Sequence, residues 1–145
     1  MLREEAMLNC YDKIRVVIAD DDNDLIQRVL SLMPDQFEIV ATVNDGLSAV
    51  QAASRFNPDI IILDIMMPGI DGIEVAREMN RLGVTSKVIF LTALDDDDYV
   101  HAARVIGASF VQKRRMRHDL TFAMKEMLDG RTFASPSSLS SPQTP

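Results

Sequence analysis

Asp59-Ile60-Ile61-Ile62-Leu63-Asp64-Ile65-Met66-Met67-Pro68-Gly69-Ile70-Asp71-Gly72 is the stretch on which the fold turns. From Ile60 to Leu63 every position is apolar. A strand with no polar side is one covered on both faces, as in the middle of a parallel sheet. The run stops at a carboxylate, Asp64. A second run of the same kind, Val88-Ile89-Phe90-Leu91, stops at Thr92.

Working outward, helical and extended patterns alternate. Upstream, Arg15-Val16-Val17-Ile18-Ala19 is a short β-branched run, and Leu25, Ile26, Val29, Leu30 and Met33 then recur at helical spacing until Pro34. Phe37, Ile39, Ala41 and Val43 suit a strand buried mostly on one face. Asn44-Asp45-Gly46 signals a turn, and Ala49, Val50, Ala53 and Phe56 mark a helix that Asn57-Pro58 ends. Downstream, Val75, Ala76, Met79 and Leu82 form a helical stripe. Tyr99, Ala102, Ala103 and Ile106 form another, stopped by Gly107. Phe110-Val111 is a last short strand, and Leu120, Ala123, Met124, Met127 and Leu128 a last helix, closed by Gly130. Five strands alternating with five helices predict a doubly wound α/β fold.

The chain has 145 residues, one compact domain with little left over. Hydrophobic residues at 47 % and charged residues at 26 % suit a globular protein with a real core. No apolar run approaches the roughly 20 residues of a membrane span, and the N-terminus lacks the order of a signal peptide. A single cysteine, Cys10, excludes an internal disulfide and a cysteine metal cluster, so a cytoplasmic address is expected. A formal net charge of −7 argues against broad binding to nucleic acid by this chain alone. Residues 1–12 show no period and read as a tail or tag. Residues 13–130 read as the folded domain, and 131–145, ending in a serine- and proline-rich stretch, as a linker or disordered tail.

In an open parallel sheet, ligands bind outside the carboxyl ends of the strands. Asp20-Asp21-Asp22 follow the first strand, Asp64 the third, Thr92 ends the fourth and Lys113 follows the fifth. Several carboxylates close together repel and need a cation. Hard oxygen ligands without Cys or His point to Mg²⁺ or Mn²⁺. A carboxylate can attack a phosphoryl group, and the transferred anion needs positive charge and hydrogen-bond donors around it. Lys113, Thr92 and a divalent ion would supply them. Taken alone, an acidic triplet most often caps a helix, and Asp22 itself fits that role. Asp64 at the neighbouring strand end reverses the balance for Asp20 and Asp21. Asp95 to Asp98 read as a solvated loop and helix start. Lys113-Arg114-Arg115-Met116-Arg117 read as a solvated loop or partner contact in preference to a nucleic-acid site, and His101 and His118 as surface residues.

V-V-I-A-D-D, D-I-I-I-L-D-I-M-M-P-G-I-D-G, V-I-F-L-T-A and F-V-Q-K, in this order and at these strand ends, resemble the receiver domain of two-component response regulators over roughly residues 13–130. The resemblance implies a flavodoxin-like five-stranded parallel sheet of order 2-1-3-4-5. It also implies phosphotransfer from a sensor histidine kinase to Asp64, with self-phosphotransfer and slow autodephosphorylation as the chain's own chemistry. Asp21 matches the direct metal ligand, Asp20 a ligand acting largely through water, and the Met66 carbonyl the third protein ligand. Thr92 and Phe110 match the switch pair and Lys113 the phosphate-binding lysine. In that family the residues two beyond the phosphorylated Asp and two beyond the switch Thr, here Met66 and Leu94, flank the path of the hydrolytic water. D-D-D-D-Y-V-H-A-A-R and M-L-D-G-R-T-F-A-S-P look like receivers that precede a LuxR-type helix-turn-helix, so DNA would be reached only through an output domain outside this chain. Two departures stand out. Arg114-Arg115 follow the lysine, and the segment from Gly107 to Lys113 is one residue short before the aromatic.

Two other readings use the same residues. Phosphatases of the haloacid dehalogenase type also carry an aspartyl nucleophile after a strand, but they place a second Asp where this chain has Met66. A pseudo-receiver that only binds partners has no use for an intact set of Asp21, Asp64, Thr92 and Lys113. On the last helix, Phe122 points nearly opposite the core stripe at 100° per residue, which predicts a homodimer or interdomain contact there.

Overall fold

The computed structural model describes residues 13–136. The expected tail at 1–12, with Met7 and Cys10, and the stretch 137–145 lie outside the described residues.

Five strands form one parallel sheet in the order β2-β1-β3-β4-β5, as expected. They are β1 (Ile14–Ala19), β2 (Phe37–Val43), β3 (Ile60–Leu63), β4 (Lys87–Thr92) and β5 (Ser109–Gln112). Five helices connect them or follow them: α1 (Asn23–Leu32), α2 (Gly46–Phe56), α3 (Gly72–Arg81), α4 (Asp97–Ile106) and α5 (Met116–Leu128). A 3-10 turn, Lys113–Arg115, joins β5 to α5.

The fully apolar runs are what the central position demands. Side chains alternate across a strand, so Ile60 and Ile62 pack with α1 and α5, while Ile61 and Leu63 pack with α2, α3 and α4. On β4, Ile89 and Leu91 join the first group and Val88 and Phe90 the second. All four β3 residues are buried. The edge strand β2 is buried only at Phe37, and its pairing with β1 slips by one residue beside Val40.

Asp side chains start most of the helices. Asp22, Asp45, Asp71 and Asp96 cap α1 to α4 by accepting backbone N–H bonds, each contributing about 1 kcal/mol. Asp22 is therefore a cap, as read from sequence. Gly72 begins α3 hard against the end of β3. A Cβ there would collide with the Asp64 carbonyl and the Ile65 Cα. Only glycine lets the helix approach this closely, and the Gly72 amide bonds the Ile65 carbonyl at 2.8 Å.

Several details differ from the periodic reading. Leu82 lies just past α3, and both it and Leu128, expected in the core, are exposed. Of the α4 stripe only Ala103 is fully buried. The linker expected from residue 131 does not begin there. The Phe110 amide bonds the Phe133 carbonyl, and the Ser135 amide bonds the Phe110 carbonyl, both at 2.8 Å. Residues 132–135 thus lie parallel to β5 on its outer edge, with Ala134 bridged to Phe110. The edge of a sheet offers unpaired N–H and C=O groups, and this segment takes some of them.

Candidate phosphoryl-transfer site

The sheet order places the polar strand ends side by side. β1 and β3 are neighbours in register, Ala19 opposite Leu63, so Asp20 and Asp64 emerge together. The Asp64 amide bonds the Ala19 carbonyl at 3.0 Å and the Asp20 amide bonds the Val43 carbonyl at 3.0 Å. These two backbone bonds fix where both carboxylates start. On the other side, β4 brings Thr92 and β5 brings Lys113 past its end.

Asp20 and Asp64 are buried while Asp21 is exposed. Carboxylate oxygens of the three lie within 4.8 Å of one another. The Lys113 Nζ donates to Asp64 Oδ2 at 2.9 Å and pairs with Asp20 Oδ2 at 3.0 Å. One ammonium thus faces two buried carboxylates, with the third at the rim. Burial raises the Asp20 pKa above its ordinary value, and the Asp64 charge adds to this. The Asp22 amide, at 2.8 Å from Asp20 Oδ1, and Lys113 oppose it. Burial acts to lower the Lys113 pKa, but bonds to Asp64 and Asp20 outweigh it, and the ammonium is held above its ordinary value. The result is a pocket with excess negative charge and oxygen donors only. That donor set fits a hard divalent ion, and Asp20, Asp21 and Asp64 are the residues that could hold one.

The remaining predicted residues fall around this pocket. Met66 donates its amide to Asp64 Oδ1 at 3.3 Å, and the residue is 57 % exposed. Thr92 is buried, and its hydroxyl accepts from the Leu94 amide at 3.3 Å. Phe110 is buried among the residues that α2, α3 and α4 cover. Phe122 stands on the outer face of α5, half exposed. Its ring meets Phe133 edge-on at 5.3 Å, so its first partner is this chain's own C-terminal segment.

Reading the basic cluster as one unit is corrected by the geometry. Lys113 enters the pocket, Arg115 pairs with Asp119 at 2.8 Å, and Arg114 stands 3.8 Å from Asp95. Sequence reading also missed Gln112. It is buried, and its side-chain amide donates to the Leu94 carbonyl at 2.8 Å and to Asp95 Oδ1 at 3.1 Å. Its place in F-V-Q-K, one residue before the lysine, was the available signal. A groove of about 400 Å³ between α3, α4 and the end of α5 opens beside Lys87 at the amino end of β4. It is at the opposite end of the sheet from the carboxylates and takes no part in their chemistry.

Comparison with known proteins agrees with this geometry. The model of the response regulator receiver domain matches residues 16–125. The transcriptional regulatory protein DegU of Brevibacillus brevis is 35 % identical over 129 residues, which is 86 % of this chain and 54 % of DegU. The chain thus spans about half the length of that relative. Among solved structures, the signal receiver domain of NarL from Mycobacterium tuberculosis superposes with a TM-score of 0.78 at 28 % identity, covering 83 % of this chain and 99 % of that domain. A LuxR-family DNA-binding response regulator from Staphylococcus aureus gives a TM-score of 0.70 at 34 % identity, covering 77 % of this chain and 96 % of the other.

Proposed function

We propose, for a chain that belongs to the response regulator receiver family, that Asp64 is its phosphoacceptor and that a divalent cation, Mg²⁺ or Mn²⁺, assists the transfer from Asp20, Asp21 and Asp64. The observation that carries this reading is the juxtaposition of Asp64, Asp20 and Lys113 within 3.0 Å contacts, with Asp21 at the open side. An Asp64 oxygen attacks the phosphorus of the donor, and the bond from phosphorus to the donor's leaving atom breaks. Lys113 neutralises the new phosphoryl oxygens, and the Thr92 hydroxyl donates to one of them once it turns from Leu94. A bound cation would supply further charge neutralisation, with the Met66 carbonyl as an added ligand. Phe110 on β5 then follows Thr92 as the second switch residue.

The donor in the cell is proposed to be the phosphohistidine of a sensor kinase. The output, read from relatives such as DegU, is proposed to be transcription through a DNA-binding domain outside this chain. As the partner of such a kinase the chain is proposed to act in the cytoplasm; among the described residues no helix is long and apolar enough to cross a membrane. Incubation with acetyl phosphate and Mg²⁺ tests the core of the reading. A receiver takes up label once per chain. Many turnovers would indicate a phosphatase, and no labelling a partner-binding pseudo-receiver.

The cation has its own test. Ligand binding to the folded state alone stabilises it by about 2.7 kcal/mol at a concentration roughly 100 times the Kd. Mg²⁺ should therefore raise the melting temperature of the unaltered chain by several degrees. Asp21→Ala should lose most of that gain, while melting no lower without Mg²⁺ because one repelling charge is gone. Equal stabilisation of both proteins by Mg²⁺ would exclude the site.

Phe122 carries the proposed self-association. Half of its surface stays open beside Phe133 even after the edge contact is made. Phe122→Glu is expected to weaken dimerisation about tenfold or more, the loss typical of an aromatic interface residue. Sedimentation velocity with and without phosphorylation measures it, and unchanged association would leave the residue no role in a dimer.

A further inference from the structure

The segment after α5 is tied to the phosphorylation site by two routes that meet at one hydroxyl. Ser135 is buried. Its Oγ accepts from the Gln112 backbone amide at 3.1 Å and donates to Asp119 Oδ2 at 2.6 Å. Asp119 also accepts from Arg115 Nε at 2.8 Å. Gln112 directly precedes Lys113, and Arg115 ends the 3-10 turn that Lys113 begins. The lysine is thus held at both flanks by groups that Ser135 ties down. Gln112 reaches further, because its side chain binds the Leu94 carbonyl and Asp95 just beyond Thr92. The segment itself is fixed along β5 by the two Phe110 backbone bonds. The buried Ser109 hydroxyl adds a third point, accepting from the Phe133 amide at 2.9 Å.

Such an arrangement has a direction. A phosphoryl group on Asp64 needs Lys113 placed in advance, since a cation already in position costs no reorganisation during transfer. With the segment docked, the 3-10 turn and the Leu94–Asp95 loop are anchored and Lys113 reaches Asp64. With it undocked, Asp119 loses the Ser135 bond, the Gln112 amide loses its acceptor, and both flanks of the lysine loosen. We propose that residues 132–135 form a latch whose docking on β5 and phosphorylation of Asp64 stabilise each other. Coupling between two sites is reciprocal, so a latch that favours the phosphoryl group must be tightened by it. The latch rests on the reading of Asp64 as phosphoacceptor, and it assigns Ser135, Ser109 and Asp119 as positioning residues.

The test uses the whole chain and beryllofluoride with saturating Mg²⁺, a reversible mimic of the phosphoryl group. Ser135→Ala and Ser109→Ala each remove one anchor and leave the backbone intact. Each is expected to weaken beryllofluoride binding about fivefold, the lower end of usual coupling factors, as measured by calorimetric titration. Amide exchange followed by NMR supplies the reciprocal reading. Beryllofluoride should slow exchange of the Phe110 and Ser135 amides in the unaltered chain. Both amides should exchange faster in each variant, while the central Ile62 amide, which reports on the fold, stays protected. Latch amides that open in both variants with no loss of beryllofluoride affinity would overturn the latch alone. Binding that survives Asp64→Asn would overturn the reading of Asp64 itself, and the latch coupling with it.

Discussion

Asp64→Asn protein should take up no phosphoryl label from acetyl phosphate and Mg²⁺, under conditions where the unaltered chain is expected to take up about one group per chain. Three carboxylates share the pocket, and position separates them. The order β1-β3-β4-β5 sets Asp64 between the acidic pair on one side and Thr92 with Lys113 on the other. A phosphoryl group on Asp64 therefore has the cation ligands and the hydrogen-bond donors on its two flanks, whereas one on Asp20 or Asp21 lies a strand further from Thr92. The oxygens differ too. Asp20 Oδ1 is held by the Asp22 amide at 2.8 Å, while Asp64 Oδ1 receives only the longer 3.3 Å bond from Met66. The asparagine amide keeps the shape and loses the nucleophile. It also removes one charge from a repelling cluster, so the variant should melt no lower than the parent in the absence of Mg²⁺. That second measurement separates loss of chemistry from loss of fold. Undiminished labelling of a folded Asp64→Asn protein would move the phosphoacceptor to another residue.

The Ile60–Leu63 and Val88–Leu91 runs made the central strands readable, because a doubly covered strand has no polar side to confuse with anything else. Once those were placed, Asp64 and Thr92 followed by adjacency, and Asp20 and Lys113 by the rule that parallel sheets carry their chemistry at the carboxyl ends. The pairings of Gln112, Ser109, Asp119 and Ser135 were not legible, although the place of Gln112 beside Lys113 marked it for attention. Each is a buried polar residue with a hydrogen-bond partner at least 16 positions away, and such distant pairs leave no periodic trace in a sequence. The C-terminal segment was misread for a related reason. It runs into serines and prolines that have little to bury, yet Phe133 and Ser135, two apart, both turn inward while Thr132, Ala134 and Pro136 are exposed. So short an alternation does not stand out against such a background. Phe122 shows the converse. Its outward direction was legible from helical geometry, but the ring that meets it belongs to a segment whose docking was not.

Met66→Asn combined with Leu94→Glu should speed loss of the phosphoryl group from Asp64 about tenfold, a barrier change of roughly 1.4 kcal/mol. Hydrolysis needs a water in line with the bond between Asp64 and phosphorus. In the receiver family the residues at the positions of Met66 and Leu94 flank that path, and here both are apolar, so neither can orient a water by hydrogen bonding. They differ in how they are held. Met66 is largely exposed, two residues beyond Asp64. Leu94 is half-buried against the core that covers Phe90 and Phe110. Its backbone is pinned at both ends, the amide to Thr92 and the carbonyl to Gln112. A glutamate at 94 therefore starts from a fixed point, and its carboxylate can reach toward the pocket as a base for the entering water. Asparagine at 66 replaces an apolar side chain with a group that can hold the same water. Its backbone is unchanged, so Mg²⁺ stabilisation of the double variant should match that of the parent. The measurement is decay of the acylphosphate at fixed Mg²⁺ after the donor is removed. Decay that is unchanged or slower, with Mg²⁺ stabilisation intact, would show that water reaches Asp64 by a path these two side chains do not guard.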